Sequence, residues 1–568
     1  MALGENLKIL LLAAREKARR MAIRMRRNSP SVILSSSYSA DHLILAPQDL
    51  HTPDSAAAME IYSGRFFLGG KMIDCYGTDP FLRTDTPQIW QTELHSFGWL
   101  RHLEAEGSAL TKSNAQILIN DWMTNHSKPK NSIAWRGDIP AKRLISWICH
   151  SVPVVQAATP RFYQQWLKSI VTHINFLKYR ANELGDGTPL LFVRIALAYA
   201  AICVSDQQKT LRHAQRLLDQ ELQLQITQDG THISRNPAVT ADILALLLPL
   251  RQSYARLGIA PSQTLVSSID RLMAALKFYQ LGDGNLARFN GVSLPRPDLV
   301  STILFYDDSM GIASENAPYS GYQRMAMGDT VLLADTGKPP QGGNSRMAHA
   351  GTLSFELSSG VNLLMVNCGR PSDPNSNLAT IARSTAAHNT ATLNDTSSSR
   401  FYLGQKFINL LKNRIIAAPK QVDCKRQDGE GFKQFTASHN GYRKTFGAIH
   451  QRTLKMTDNG MRVEGQDSFT GIGGTQIRSK REVEFAIRFH LHPSVSAGKT
   501  DDGRSILMMC GNGLIWKLTC IDCPPEIEES IFLSSTSGPK RTKQIVLTGN
   551  AKELSEIRWL LTKEKNVR

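Results

Sequence analysis

Two histidines and two arginines crowd one stretch of the chain, and side chains of these kinds move protons and hold anions. Asn344-Ser345-Arg346-Met347-Ala348-His349-Ala350-Gly351 leads into the alternating run Leu353-Ser354-Phe355-Glu356-Leu357. The next apolar run ends Val366-Asn367-Cys368-Gly369, and after a loop comes Ala382-Arg383-Ser384-Thr385-Ala386-Ala387-His388-Asn389-Thr390. His349, His388, Arg346 and Arg383 thus fall at predicted strand ends, a usual place for a site facing another domain. Further on, His439-Asn440-Gly441-Tyr442 sets an imidazole near a phenol, a pair able to act as base and acid. Each histidine alone reads equally well as a hydrogen-bonded structural residue, and Tyr442 as a ring packing a hairpin corner. Arg136, Arg143, Arg235 and Arg324 add guanidinium forks that suit carboxylate or sulfate, and Trp135 beside Arg136 offers a face for sugar stacking.

The hydrophobic period supplies two frames for these residues. From about Trp90 to Leu281 apolar residues recur at three and four, as in Phe162, Trp166, Ile170, Ile174 and Leu177 behind Thr159-Pro160. Successive amphipathic helices with short breaks pack as antiparallel hairpins, and enough of them make an array or a ring. After about Ser301 the period becomes two. Turn dipeptides then punctuate the chain: Asp428-Gly429, Asn440-Gly441, Asn459-Gly460, Asp502-Gly503 and Asn512-Gly513. The expected class is α+β multidomain, a helical hairpin array followed by an antiparallel sandwich or stacked sheets. The boundaries read as a basic N-terminal helix and linker (1–50), the helical domain (51–300) and the sheet domain (301–568).

The length of 568 residues predicts two to four domains at roughly 150 residues each. With 42% hydrophobic and 20% charged residues, a disordered chain, a collagen and a disulfide-stapled mini-protein are excluded. Lys and Arg number 66 against 49 Asp and Glu, a formal charge of +17 that favours a polyanionic partner. No nucleic-acid-binding module is recognisable, and charge alone does not choose between an acidic membrane face and an acidic polysaccharide. Of the eight cysteines only Cys520-Ile521-Asp522-Cys523 has a close spacing, and chance neighbours on a strand account for it. At the N-terminus the apolar run Ile9 to Ala14 precedes Arg15, Lys17, Arg19, Arg20, Arg24, Arg26 and Arg27. That order reverses a signal peptide and points to a cytoplasmic chain. The segment reads as a basic amphipathic helix, packed on the body or in weak contact with an anionic membrane surface. No run is long enough to span a bilayer.

At the histidine cluster the sequence resembles the heparinase II/III family of polysaccharide lyases. The likeness rests on Met347 to Gly351, Ser354-Phe355-Glu356, Asn367-Cys368-Gly369 and, most fully, Arg383 to Thr390. It extends to Trp135 through Trp147, Asp229 through Pro237, Gly282-Asp283-Gly284, His439 to Tyr442 and Phe489 to Pro493. The resemblance implies an α/α toroid with a C-terminal β-domain, cleavage of uronic-acid polymers by β-elimination, and a periplasmic setting. For catalysis the residues present offer His349, His388, His439 and Tyr442 as proton carriers. For substrate they offer Trp135, Arg136, Arg143, Arg235, Arg324, Arg346 and Arg383. A β-domain metal, zinc or calcium, would fall to His349, Asn367 and His388, with a hydrogen-bonded knot as the alternative.

The chain also departs from the family pattern. Met347 stands where the hallmark has its leading histidine, Val239 where a tyrosine is expected, and no carboxylate-neutralising Asn appears near Gly185 to Leu190. Two further readings therefore stay open: a binding or biosynthesis-associated protein that has lost the acid and base, and an inverting glycoside hydrolase. The latter needs two carboxylates roughly 6.5–9.5 Å apart, with Asp79, Glu93 and Asp283 as candidates.

Overall fold

A computed structural model describes residues 2–27, 40–129, 132–156, 158–181, 183–184, 187–205, 207, 210–307 and 313–564. Gly185 and Asp186, and the side chains of Arg24, Arg26 and Arg27, lie outside the described residues.

The first half is a two-layer helical array. Gln88–Ser96, Ile139–Cys149, Thr188–Cys203, Pro237–Arg256 and Pro297–Phe305 form an inner row in which each helix packs on the next. Pro160–Arg180, Leu211–Gln225 and Gln263–Phe278 stand behind it. Four inner helices open on a proline, Pro140, Pro189, Pro237 and Pro297. Proline in the first turn already has the helical φ and lacks only an N–H that would be unpaired there anyway. As the Thr159-Pro160 pair predicts, the Thr159 side chain accepts from the Phe162 amide. Thr188–Cys203 is buried almost all round, because helices flank it on both sides.

The second half holds three larger antiparallel sheets and a two-stranded ladder of Arg400–Phe401 with Ile415–Ala417. The first runs in the order Asn316–Ala317, Tyr322–Met327, Thr330–Asp335, Phe355–Ser359, Asn362–Met365. Side chains alternate across it: Ala317, Tyr322, Leu333 and Leu363 join the helical core, while Met325, Leu332, Phe355 and Leu364 join the core of the β-domain. This sheet is the floor shared by the two halves. Eight strands from Val422–Gly429 to Val495–Lys499 form the second sheet, and Ala391–Leu393, Glu484–His490, Lys540–Asn550 and Glu526–Phe532 form the third.

The turn dipeptides divide in outcome. Asn459-Gly460, Asp502-Gly503 and Asn512-Gly513 each join paired neighbours, with glycine φ of 84°, 68° and 81°. Asp428-Gly429 instead ends its strand, and Glu430-Gly431 makes the turn. Asn440-Gly441 runs into the short helix Arg443–Phe446, so no tight hairpin forms there.

The N-terminal helix Ala2–Arg27 lies on the β-domain, burying Ala13 beside Tyr402 and Leu411. Glu16, buried, receives Arg19, Arg20 and Arg414. The packing reading of this segment thus describes one face, and Leu7, Leu10 and Leu11 stay exposed on the other. Among the described residues no helix is long and apolar enough to cross a membrane.

Gly282, at the end of the helical half, faces the Gly360 carbonyl so closely that a β-carbon would overlap it. Gly282→Ala is expected to lower the unfolding free energy by about 1–3 kcal/mol. Gly498→Ala, in open space on an edge strand, should leave it within about 0.5 kcal/mol. Denaturant midpoints of the two variants check this.

Candidate functional site

The loop carrying the histidine cluster meets the starts of the inner helices. Gly187, before the helix Thr188–Cys203, faces Asn344: a β-carbon there would lie 3.0 Å from Asn344 Oδ1. Gly291 faces the Met347 carbonyl in the same way, at 2.9 Å. Asn236 caps the helix Pro237–Arg256 through the Ala238 amide and lies beside Gly291. Met347 itself is exposed, with Arg370 Nη1 at 3.3 Å from its sulfur.

Two residues after Met347, His349 meets His388. His388 Nδ1 lies 2.7 Å from the Ser384 carbonyl, which fixes the proton on that nitrogen. His388 Nε2 is then an acceptor, and His349 Nδ1 donates to it across 3.1 Å. It follows that His349 Nε2 bears a lone pair; this atom is buried and unpartnered. Burial holds the His349 imidazole well below the ordinary histidine range, helped by His388 and Arg383, and burial brings His388 down to about 4. Both rings are neutral at neutral pH. Gly351 is required under them, since a β-carbon would come within 2.7 Å of the His388 ring.

Asn367 does not complete a metal site with this pair. Its Oδ1 accepts from the Asn389 amide at 3.0 Å and its Nδ2 reaches the Arg288 carbonyl at 3.4 Å. Among the described residues no three His, Cys, Asp or Glu side chains form a cation site. The donor set fits the hydrogen-bonded knot and does not fit zinc or calcium.

Most of the arginines serve the fold. Arg235, at φ 56°, places its guanidinium among Ser320 O, Gly321 O, Lys338 O and the Asp335 carboxylate, and over the Tyr322 ring at 4.4 Å. Arg143 is fully buried, bonded to His95 O, Ala134 O and His173 and stacked 4.0 Å over Trp122. Trp135, also buried, donates to His126 O and stacks on His173, so no sugar reaches its face. Arg324 donates to the carbonyls of Phe278 and Gln280 at the end of a helix. Arg383 donates to Ala348, Ser345 and Asn413 carbonyls and lies 3.8 Å over Phe401. Arg136 and Arg346 alone of the seven substrate candidates stay exposed.

His439 and Tyr442 are enclosed in the β-domain. Tyr442 donates to the Ala391 carbonyl at 2.7 Å, the corner-packing role. His439 accepts the Gly441 amide and meets His450, whose far nitrogen lies 2.7 Å from Asp467. Arg452 pairs with the same carboxylate at 2.8 Å, and Trp559 donates to it. This buried chain links strands distant in sequence, and no local spacing announces it. Nor do the three carboxylates considered for glycoside hydrolysis act together: Asp79 caps the turn at Phe81, Asp283 caps Asn285, and Glu93 accepts the Gly69 amide. The sequence reading missed Lys142–Asp138 at 2.9 Å and Arg296–Asp242 at 2.6 Å, ion pairs in the first turns of inner helices. The prolines that open those helices were the available signal.

Residues 310–560 match the family model for the heparinase II/III-like C-terminal domain. The C-terminal half is heparinase II/III-like over those residues. The fold is that of heparinase III, with a TM-score of 0.69 at 13% identity over 96% of this chain and 89% of that one. Heparan sulfate lyase HepC from Pedobacter heparinus superposes with a TM-score of 0.59 at 15% identity, covering 100% and 90%. FtsZ-localized protein C of Caulobacter vibrioides is 28% identical over 523 residues, 91% of this chain and 89% of the relative. The heparinase fold therefore extends over both halves, while the curated relative bears a localisation name.

Two outcomes follow from this heparinase-like seam. Removing Arg235 strands the buried Asp335 carboxylate, so Arg235→Ala is expected to cost about 3–5 kcal/mol in denaturant unfolding. His388 and His490, held by burial at about 4 and about 3, titrate near 6.5 once unfolded. The unfolded chain then binds more protons between those values, so stability falls as pH drops from about 6.5 toward 4. Replacing His388 with Gln should make that fall shallower by up to about 1.4 kcal/mol per pH unit, measured as midpoint against pH.

Proposed function

We propose that this chain is a binding protein built on the lyase fold, working without β-elimination and localising with FtsZ as its Caulobacter relative's name records. β-Elimination at a uronic acid needs a group to neutralise the carboxylate, a base for the carbon acid and an acid for the leaving oxygen. The observation that carries the proposal is the knot of His349 and His388. The two imidazoles are buried, neutral and bonded to one another, and the exposed side chain two residues before His349 is the Met347 thioether, which accepts no proton. Arg235 and Arg383, the guanidinium groups nearest in sequence logic, are saturated by carbonyls and Asp335. The end-to-end match to a protein named for its localisation supports the same reading.

A lyase acting on acidic polysaccharide is the second reading, and one observation favours it: the unpartnered lone pair on His349 Nε2. The two are separated directly. Incubation with a panel of uronate-containing polymers is expected to yield no unsaturated sugar absorbing in the ultraviolet. A fluorescent fusion is expected to coincide with FtsZ in dividing cells, and His349→Ala should leave that pattern unchanged. Polymer cleavage abolished by His349→Ala would establish the lyase and end the binding reading.

A further inference from the structure

The chain crosses between two sheets at Cys520-Ile521-Asp522-Cys523. Cys520 is the last residue of Ile515–Cys520 in the eight-stranded sheet, and the four-stranded sheet begins at Glu526. Had the strand continued, residues three apart would point to opposite faces, with Cα atoms about 10 Å apart. Instead the chain turns and brings the two sulfurs to 3.7 Å. Asp522 fixes the turn by accepting the Arg558 amide at 2.7 Å, and Cys520 Sγ lies 3.3 Å from the Arg558 carbonyl. Ile521, at the tip, is 86% exposed, while both sulfurs sit just beneath it. All eight cysteines are reduced, and this is the one pair with sulfurs in contact among the described residues.

We propose that Cys520 and Cys523 form a reversible disulfide by exchange with a low-molecular-weight disulfide such as oxidised glutathione, stapling the crossover between the sheets. The hydrogen bond from the Cys523 thiol, with backbone amides of Cys523 and Asp522, lowers the Cys520 thiol against the effect of burial. The same contact and burial raise Cys523. In the proposed exchange Cys520 attacks as thiolate and Cys523, its sulfur 3.7 Å away, resolves. In the first step the Cys520 thiolate attacks one glutathione sulfur, the glutathione S–S bond breaks, and one glutathione leaves as thiolate. In the second, Cys523, having lost its proton, attacks Cys520 Sγ and expels the other glutathione. The two protein thiols are oxidised, one disulfide is reduced to two thiols, and two protons pass to the departing thiolates. Access requires only that the four-residue turn lift, since its tip already stands in water.

The reduced full-length chain, freed of reductant, is incubated with oxidised glutathione, quenched in acid and weighed intact, then digested and mapped. The expected product is lighter by two hydrogens, carries a Cys520–Cys523 bond, and returns to the starting mass with dithiothreitol. Cys523→Ser should stop at one glutathione on residue 520, and Cys520→Ser should react about tenfold more slowly or less. The wild-type mapping stands without the variants if either fails to fold. No loss of two hydrogens in the native chain, under conditions that oxidise the urea-unfolded chain, would overturn the proposal. A disulfide mapped to any other pair would do the same.

Discussion

A buried guanidinium has five N–H groups to satisfy and a charge to balance, and Arg235 meets both demands across the boundary between the halves. Its partners are three carbonyls and one carboxylate of the first sheet, and Tyr322, beneath its plane, donates back to the Arg235 carbonyl at 2.6 Å. Asn290 then ties the Tyr322 hydroxyl and Asp335 to the helical half, and its Oδ1 receives the His349 amide at 3.3 Å. Arg235 reaches this place through a left-handed backbone, φ 56°, unusual for a residue with a β-carbon. Gly337 leaves room for it, since a β-carbon there would lie 2.5 Å from Nη2. Arg235 thus ties the start of the helix Pro237–Arg256 to the first sheet and, through Tyr322 and Asn290, to the backbone of His349.

The same economy of polar groups explains where the positive charge went. A cleft that grips sugar acids must present cations with unused donors. Arg143 is enclosed by aromatic rings, Arg324 closes a helix end, and Arg383 holds the ends of three backbone segments. Where the first turns of the inner helices carry charge, Lys142 and Arg296 stand beside Asp138 and Asp242. The formal charge of +17 therefore does not by itself mark a cation-lined face between the two halves.

The two periods made the architecture legible: the stripe Phe162 to Leu177 is a helix, and the alternation at Leu353, Phe355 and Leu357 runs into a strand. Leu353 itself sits at φ 66° in the turn before that strand, a local conformation that alternation cannot register. The pairing of His349 with His388 was legible as proximity but not as saturation, because tautomer and burial depend on Ser384 and Gly351 meeting from separate segments. Residue type alone mistook Arg143, Arg235 and Trp135 for ligand contacts, since a guanidinium or indole that serves a core reads the same as one that serves a site. The short hairpin Arg65–Leu68 with Lys71–Asp74 inside the helical half escaped because its strands are too brief to establish a period.

The seam holds a second buried pair of opposite character. Arg288 approaches Glu356 at 3.6 Å, too far for a hydrogen bond, and Arg288 Nε and Nη1 and Glu356 Oε2 have no partner. Burial pushes the Glu356 carboxyl up to about 7 against the pull of Arg288, whereas Asp335 is fully paired with Arg235. Asp335 thus holds the Arg235 guanidinium protonated against the effect of burial, whereas the Glu356 carboxyl exchanges a proton near neutrality. Glu356 Oε1 accepts the Asn367 amide, and Asn367 Oδ1 accepts the amide beside His388. A proton on Glu356 is thus felt two hydrogen bonds away, at the backbone that carries the histidine knot. A fold that joins its halves by one saturated and one unsaturated ion pair sets a fixed contact beside a titratable one.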